Sequence, residues 1–534
     1  MGVLLAISPV VVILLLMTVF KRTADVAGAI GWLYTALIAW AFFGTDWPVI
    51  LVASLAGLVA SFPISLMVIT SIFQINVMEE AGAIKRLVVF MKTLASENRA
   101  VQVMLINVGI GTLLAALGAT PVSILPPIML SLGYSAFVAI ALPAIGYDAL
   151  CTYALLGVPV VVFADVVTGI TGQAVSPAEV GLFFAQYMPV VTTLIALSML
   201  WLTGGWAEVR RGWPAAVVTG LVAGFTAIGM NYAGLPTLTG VVAGVMVVGA
   251  MLLYLKLSGR KLIDRAKLDD ADKKQEHKMG IALAVLPWIL LVAFSILTNF
   301  KALGVYDVLF KSFSMPVSII PGDKPMALRM MWHAYTWVLI ATLIAIPFYK
   351  MGKDRLQAAL KKTARRVPRP AFAAGIYFAI AYVLNHSGKV AGVAGWAPSN
   401  DGSNMVKVVA DASASAFQGA YAGVAAYLGL LGGFISGSET SSIVMLTKLH
   451  FDTVDVIYAT AGDDRIRAIA LLVAAVSGIG GGLASVISPA KLQNAAAVID
   501  QIGMESKVIK STVVISLIMT SVAALLTFAF LSWL

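Results

Sequence analysis

From end to end, the chain alternates long apolar runs with short polar connections, and the runs are of about 17–25 residues, the length that crosses a hydrocarbon core of roughly 30 Å. They fall near 3–20, 27–44, 48–74, 102–118, 135–164, 178–204, 214–233, 238–259, 281–299, 333–349, 370–386, 413–434, 466–487 and 511–533. No series of short segments with alternating polarity is present, so a transmembrane barrel is not expected. The pattern predicts an all-α polytopic membrane protein with about 12–14 transmembrane segments, several of them interrupted.

The interruptions are informative. The first is "LAALGATPVSILPPIML" (114–130), where Pro121, Pro126 and Pro127 oppose a regular helix. The second, "LPAIGYDALCTYALLGVP" (142–159), sets Gly146, Tyr147 and Asp148 between apolar half-helices. "FISGSETSS" (434–442) and "SGIGGGLASVISP" (477–489) follow in the second half. Backbone that is not helical at membrane depth is tolerated only where protein buries it or a water-filled cavity reaches it. Paired interruptions in two halves point to a secondary transporter built from two inverted repeats. The alternative is plain packing, since Gly and Pro are common in membrane helices. The expected division is 1–259, a cytoplasmic basic linker at 260–280, and 281–534.

Composition agrees: 60% of the 534 residues are hydrophobic and 12% charged, against about 25% charged in soluble domains. The net charge of +10 does not indicate nucleic acid. Lys and Arg gather in the connections 21–22, 85–99, 210–211, 260–278 and 350–369, as cytoplasmic loops do. The expected location is the inner (plasma) membrane. The N-terminal run has no basic residues before it and Lys21-Arg22 after it, so it reads as a retained span with the N-terminus outside. The single cysteine, Cys151, excludes an internal disulfide.

Charged groups at mid-span depth are costly and usually functional. Glu439 and Asp148 lie beside breaks, and a poorly hydrated carboxylate can carry a coupling proton. The hydroxyls of Ser436, Ser438, Thr440, Ser441 and Ser442 could instead ligate Na⁺, or hold a substrate carboxylate at a helix N-terminus. A hydrogen-bonded Glu capping a helix is the structural alternative. His386 can titrate near neutrality. Asp165 and Asp411 read as solvated or capping. No Lys or Arg is secure in mid-span, leaving Lys389, Lys448 or Lys491 near an interface for an anion. Catalytic signals are weak: there is no HExxH, and the GxSxG match at 433–437 lacks a strand-to-helix elbow. "GIGGG" reads as helix packing. "EEAGAIKRLVVFMKTLASENR" (79–99) reads as a cytoplasmic surface helix.

"GATPVSI" before "LSLGY", "YALLGVPV" with "VTGITG" and "GWAEVRRGWPA", "LNHSG" with "GLLGGFISGSETSS", and "VISPAKL" with "GMESKVIKSTVVISL" together resemble the lactate permease family, which includes lactate and glycolate permeases. The resemblance covers most of the chain. It implies a proton symporter for small 2-hydroxy monocarboxylates, with re-entrant hairpins and elevator-like motion. It implies that 437–442 lines the central site, with Glu439 at the family's usual Asp, and it sets Asn385-His386-Ser387-Gly388 at the family's Asn-Tyr-Ser-Gly step. The chain departs from the pattern at Leu113, where the family shows an acid, at Ser485, where it shows a lysine, and at Asp148, where it tends to show Asn. Loss of an acid and a base together suggests a charge pair replaced as a unit.

The expected substrate site draws on Thr120, Ser123, Tyr147, Asn385, His386, Ser436, Ser438, Thr440, Ser441, Ser442 and Ser488, with Glu439 and Asp148 carrying H⁺ or, in the alternative, Na⁺. The expected partners are a small carboxylate and the lipid bilayer, with a homodimer as one option; no nucleic acid, metal or cofactor is expected. The alternatives are a sodium-coupled carrier of another organic anion and a passive anion channel.

Overall fold

The computed structural model describes residues 2–20, 22–94, 98–299, 304–323, 325–392, 395–399, 404–501 and 503–534; Lys21 and the 95–97 part of the predicted surface helix lie outside them. Among the described residues, nine helical stretches are long and apolar enough to span a membrane, accompanied by five shorter apolar helices. The all-α expectation holds apart from two small antiparallel hairpins, β1 (Met315–Val317) with β2 (Met326–Leu328) and β3 (Lys389–Gly392) with β4 (Gly395–Pro398).

The chain opens with α1 (Gly2–Thr18), α2 (Ala24–Phe43), α3 (Trp47–Ala60) and α4 (Phe62–Ala81). The run predicted at 48–74 is thus two helices, parted at Ser61 because Phe62-Pro63 begins a new helix with proline in its first turn. Next come α5 (Ala83–Lys92), α6 (Arg99–Ala116), α7 (Pro121–Ser131), α8 (Ala136–Tyr147), α9 (Ala154–Thr171) and α10 (Pro177–Ala185). The separate runs 178–204 and 214–233 become α10 and one helix, α11 (Met188–Tyr232), 45 residues long and kinked at Gly204 and Gly205. At about 1.5 Å per residue it is more than twice as long as a hydrocarbon core is thick, so its two arms serve as two spans.

After α12 (Thr239–Leu257) the hydrophilic linker forms α13 (Asp270–Lys278). This helix docks on α5. Lys92 Nζ meets Asp272 at 2.9 Å, Gln275 donates to Gly82 O at 3.0 Å, and Arg86 Nε donates to Met279 O at 2.8 Å. The predicted surface helix is therefore covered on one face by the linker. The second half continues with α14 (Leu286–Asn299), α15 (Ala334–Phe348), α16 (Lys353–Arg366) and α17 (Pro368–His386). It ends with α18 (Met405–Phe417), α19 (Tyr421–Ser436), α20 (Glu439–Ile457), α21 (Asp463–Leu483), α22 (Pro489–Ala497) and α23 (Met504–Leu531). The run predicted at 413–434 is the end of α18 followed by α19, turned apart at Gln418.

Burial separates interior from periphery. The most apolar window of the 463–487 segment is 100% buried, whereas that of α11 is 33% buried and shows the rest of its apolar surface outward. α19 and α21 touch backbone to backbone: a Cβ at Gly433 would strike Gly481, and one at Gly480 would strike the Ala426 carbonyl. Small residues permit this approach where no water drives helices together. It accounts for "GLLGG" and "GIGGG" without any nucleotide.

Candidate intramembrane site at the helix breaks

The break between α19 and α20 is built from its own hydroxyls. Gly437 turns the chain in the left-handed region (φ 67°), which glycine enters without a Cβ penalty. Ser438 is extended and its Oγ accepts the N–H of Ser441 at 3.3 Å, so Ser438 is the N-cap of α20. Ser436 Oγ donates to Gly432 O at 2.8 Å, and Ser442 Oγ donates to Gly429 O at 3.1 Å. Thr440 and Ser441 are buried. Ser488 Oγ, at the other break, is buried without a hydrogen-bond partner and faces Gly437, 3.2 Å from where a Cβ there would lie.

Glu439, the first residue of α20, does different work. It is 3% exposed, and its side chain crosses to the first half of the chain, where Thr152 donates to Oε1 at 2.6 Å. Oε2 has no hydrogen-bond partner and lies against Gly482, so close that a Cβ there would sit 2.8 Å away, with Cys151 beside it. The cap is Ser438; the carboxylate is left for something else.

Thr152 belongs to the unwound stretch between α8 and α9. Residues 148–153 form tight 3₁₀ turns, and Leu155, Leu156 and Gly157 are left-handed in succession. Tertiary bonds hold this costly backbone. Thr192 Oγ1 donates to Ala149 O at 2.7 Å, and Tyr153 Oη donates to Gly181 O at 2.8 Å. Asp148 stands at its start, 5% exposed, flanked by Ser485 and the Val486 backbone, yet neither carboxylate oxygen closes a hydrogen bond.

A cation completes the group. Lys491, on α22, reaches back so that Nζ donates to Ser485 Oγ at 2.6 Å and lies 4.1 Å from the centre of the Tyr147 ring, a cation–π contact. It is the positive charge that acts on Asp148, Glu439 and Cys151. Three of the four breaks thus meet around two carboxylates and one ammonium: those at 148–157, 437–438 and 484–488.

The remaining candidates are distributed differently. Thr120 is exposed. Ser123 accepts from Asn494 Nδ2 at 2.9 Å, which joins α7 to α22. Asn385 and His386 lie in another cluster at the end of α17. There His386 Nδ1 is 3.1 Å from Lys389 Nζ, Nε2 is 3.6 Å from Asp323, and its ring centroid is 5.4 Å from that of Trp396. Among the described residues, no hydrogen bond or ion pair ties them to Glu439 or Asp148. Asp165 pairs with Arg329 at 2.9 Å. Two central residues were not singled out in the sequence. Lys491 ranked only among interfacial lysines, although its place two residues after the Ser488-Pro489 break was a signal. Thr152 carried only its place inside the second break.

A buried interior of broken helices with unpaired ionisable groups at the breaks defines a multi-pass membrane protein with an intramembrane polar site, the arrangement of transport proteins. The family profile described as L-lactate permease matches residues 2–533, and the chain belongs to that family, which consists of permeases and not enzymes. It is 24% identical to the glycolate permease GlcA of Escherichia coli K12 over 99% of this chain and 95% of that protein. It is 25% identical to the L-lactate permease of Salmonella typhimurium, over 87% and 84% of the two chains. It is 26% identical to that of Streptococcus iniae, over 84% and 90%. A multi-pass permease resident in a lipid bilayer follows.

Proposed function

We propose that this chain is a symporter that moves a small 2-hydroxy monocarboxylate, glycolate- or lactate-like, together with a proton. The observation that carries the reading is the meeting of Glu439, Asp148 and Lys491 at three helix breaks. The ammonium attracts the substrate carboxylate, and a carboxylate with an unpaired oxygen can bind and release a proton. The hydroxyls of Ser436, Ser438 and Ser442 already serve the helix ends, which favours a proton over Na⁺. In this reading the breaks at 117–120 and 437–438 are counterparts in two inverted repeats, as are those at 148–157 and 484–488. The N-terminus is outside, and the broken helices move together past the peripheral ones. A thermal-shift screen of glycolate, L-lactate, D-lactate, acetate and succinate on purified protein, followed by counterflow, tests it. Stabilisation and counterflow by a 2-hydroxy monocarboxylate support the reading. A response confined to succinate, or to none, would remove it, and dependence on Na⁺ replaced by K⁺ at fixed pH would replace the coupling ion.

A further inference from the structure

The connection between α15 and α17 carries eight Lys or Arg residues and one acid between 350 and 369, and its helix α16 divides them by face. One face is turned to α4. Ala359 is buried there, and Asn76 Nδ2 donates to Thr363 Oγ1 at 2.9 Å. Two cations at its edges are matched by α4. Lys362 Nζ lies 3.2 Å from Glu79 and also meets Glu80, while Arg366 Nη1 lies 3.2 Å from Glu79 and donates to Asn76 Oδ1 at 2.7 Å. Lys361 and Arg365 each follow a residue of the docked face by two positions, about 200° around the helix, so they point away from α4. Both are exposed and, among the described residues, form no ion pair. The one acid, Asp354, pairs with neither.

Two features say what this face meets. Like charges four residues apart on a helix are destabilising, so Lys361 and Arg365 call for a counter-charge that the chain does not supply. The ends of α16 are also fixed: the apolar helix α15 ends at Phe348 and α17 begins at Pro368, which holds α16 at the membrane surface. Leu360, next to Lys361, is half-exposed, as are Phe348 and Phe372 at the adjoining helix ends. Cations grouped at the end of a spanning helix attract anionic lipid, and their stems can lie along apolar surface. We propose that this face of α16 docks anionic phospholipid, with Lys361 and Arg365 taking the headgroup phosphate and Leu360 meeting the acyl chains beneath it. The site is separate from the helix breaks, and the proposal holds whatever acid the carrier moves.

A bimane fluorophore on Ala364→Cys reads the site, since Ala364 is exposed one turn after Leu360. Cys151 is buried, and brief labelling of protein without the new cysteine supplies its blank. Quenching is titrated in liposomes with brominated phosphatidylglycerol and with brominated phosphatidylcholine. The anionic lipid should reach half-quenching at a mole fraction lower by about five-fold or more. Salt at 1 M, which shortens screening to about 3 Å, should bring the two lipids together. Lys361→Gln/Arg365→Gln should reduce the ratio to within about two-fold. Arg210→Gln/Arg211→Gln, at an exposed basic pair on α11, should leave it unchanged. The two-lipid comparison and the salt titration stand alone if a charge variant does not fold. Equal quenching by the two lipids, an unchanged ratio without Lys361 and Arg365, or an equal fall without Arg210 and Arg211 would each overturn the assignment. Quenching by neither lipid would set the face in water, open to an acidic protein instead, and would overturn it as well.

Discussion

Thr152 and Glu439, 287 positions apart in the chain, share a hydrogen bond of 2.6 Å that joins the unwound stretch of the first half to the start of α20 in the second. Hydrogen bonds to charged groups contribute about 1.5–3 kcal/mol. Thr152→Val, nearly isosteric, should therefore lower the initial uptake rate by roughly ten-fold or more, while Thr152→Ser should retain most of it. A full rate in the valine variant, with folding verified by its melting temperature, would mean that the contact does not serve transport.

Lys491 and Ser485 occupy one locality from two positions, and this makes the charge relocatable. Removing one partner from a buried charge group costs about 3–5 kcal/mol, so Lys491→Gln should reduce uptake by at least about thirty-fold. A lysine at 485 begins where the Lys491 ammonium now ends. The double variant Ser485→Lys/Lys491→Gln should recover to within about five-fold of wild type if the cation itself is what the site needs. No recovery, in a double variant that folds, would count against it.

Cys151 is the chain's only cysteine, and it is buried beside Glu439. Any thiol modification therefore reports on the site without mutation. N-ethylmaleimide should label the protein slowly, and saturating L-lactate should slow labelling by about five-fold or more, as expected of a ligand bound far above its dissociation constant. Labelling that ignores every monocarboxylate tried would place their binding elsewhere.

Much of this architecture was legible in the residues, because apolar length and broken helices are properties of single segments. The four interruptions, the packing role of the glycines and the placement of Glu439 and Asp148 beside breaks could be read directly. What could not be read was partnership. Thr152 is one threonine among many until the fold brings it to Glu439. Lys491 looked interfacial because it was counted from the end of an apolar run, whereas α22 begins at a break near the centre and returns the lysine to it. His386 and Asn385 looked central because they end a span, yet the hairpin of β3 and β4 and the loop bearing Asp323 draw His386 into a separate cluster. The junction of α10 with α11 escaped, as did the helical state of 206–212 after the break at Gly204 and Gly205, because a short charged stretch reads as a loop although most of its residues favour helix.

The central claim is that Glu439 couples a proton to carboxylate movement. It is tested most directly by radiolabelled L-lactate uptake into proteoliposomes with and without an inwardly directed proton gradient, in wild type and in Glu439→Gln. The account predicts accumulation above equilibrium in the wild type only while the gradient lasts. In the variant it predicts loss of gradient-driven accumulation, with any residual exchange indifferent to pH. Gradient-driven accumulation by Glu439→Gln at the wild-type level would contradict it.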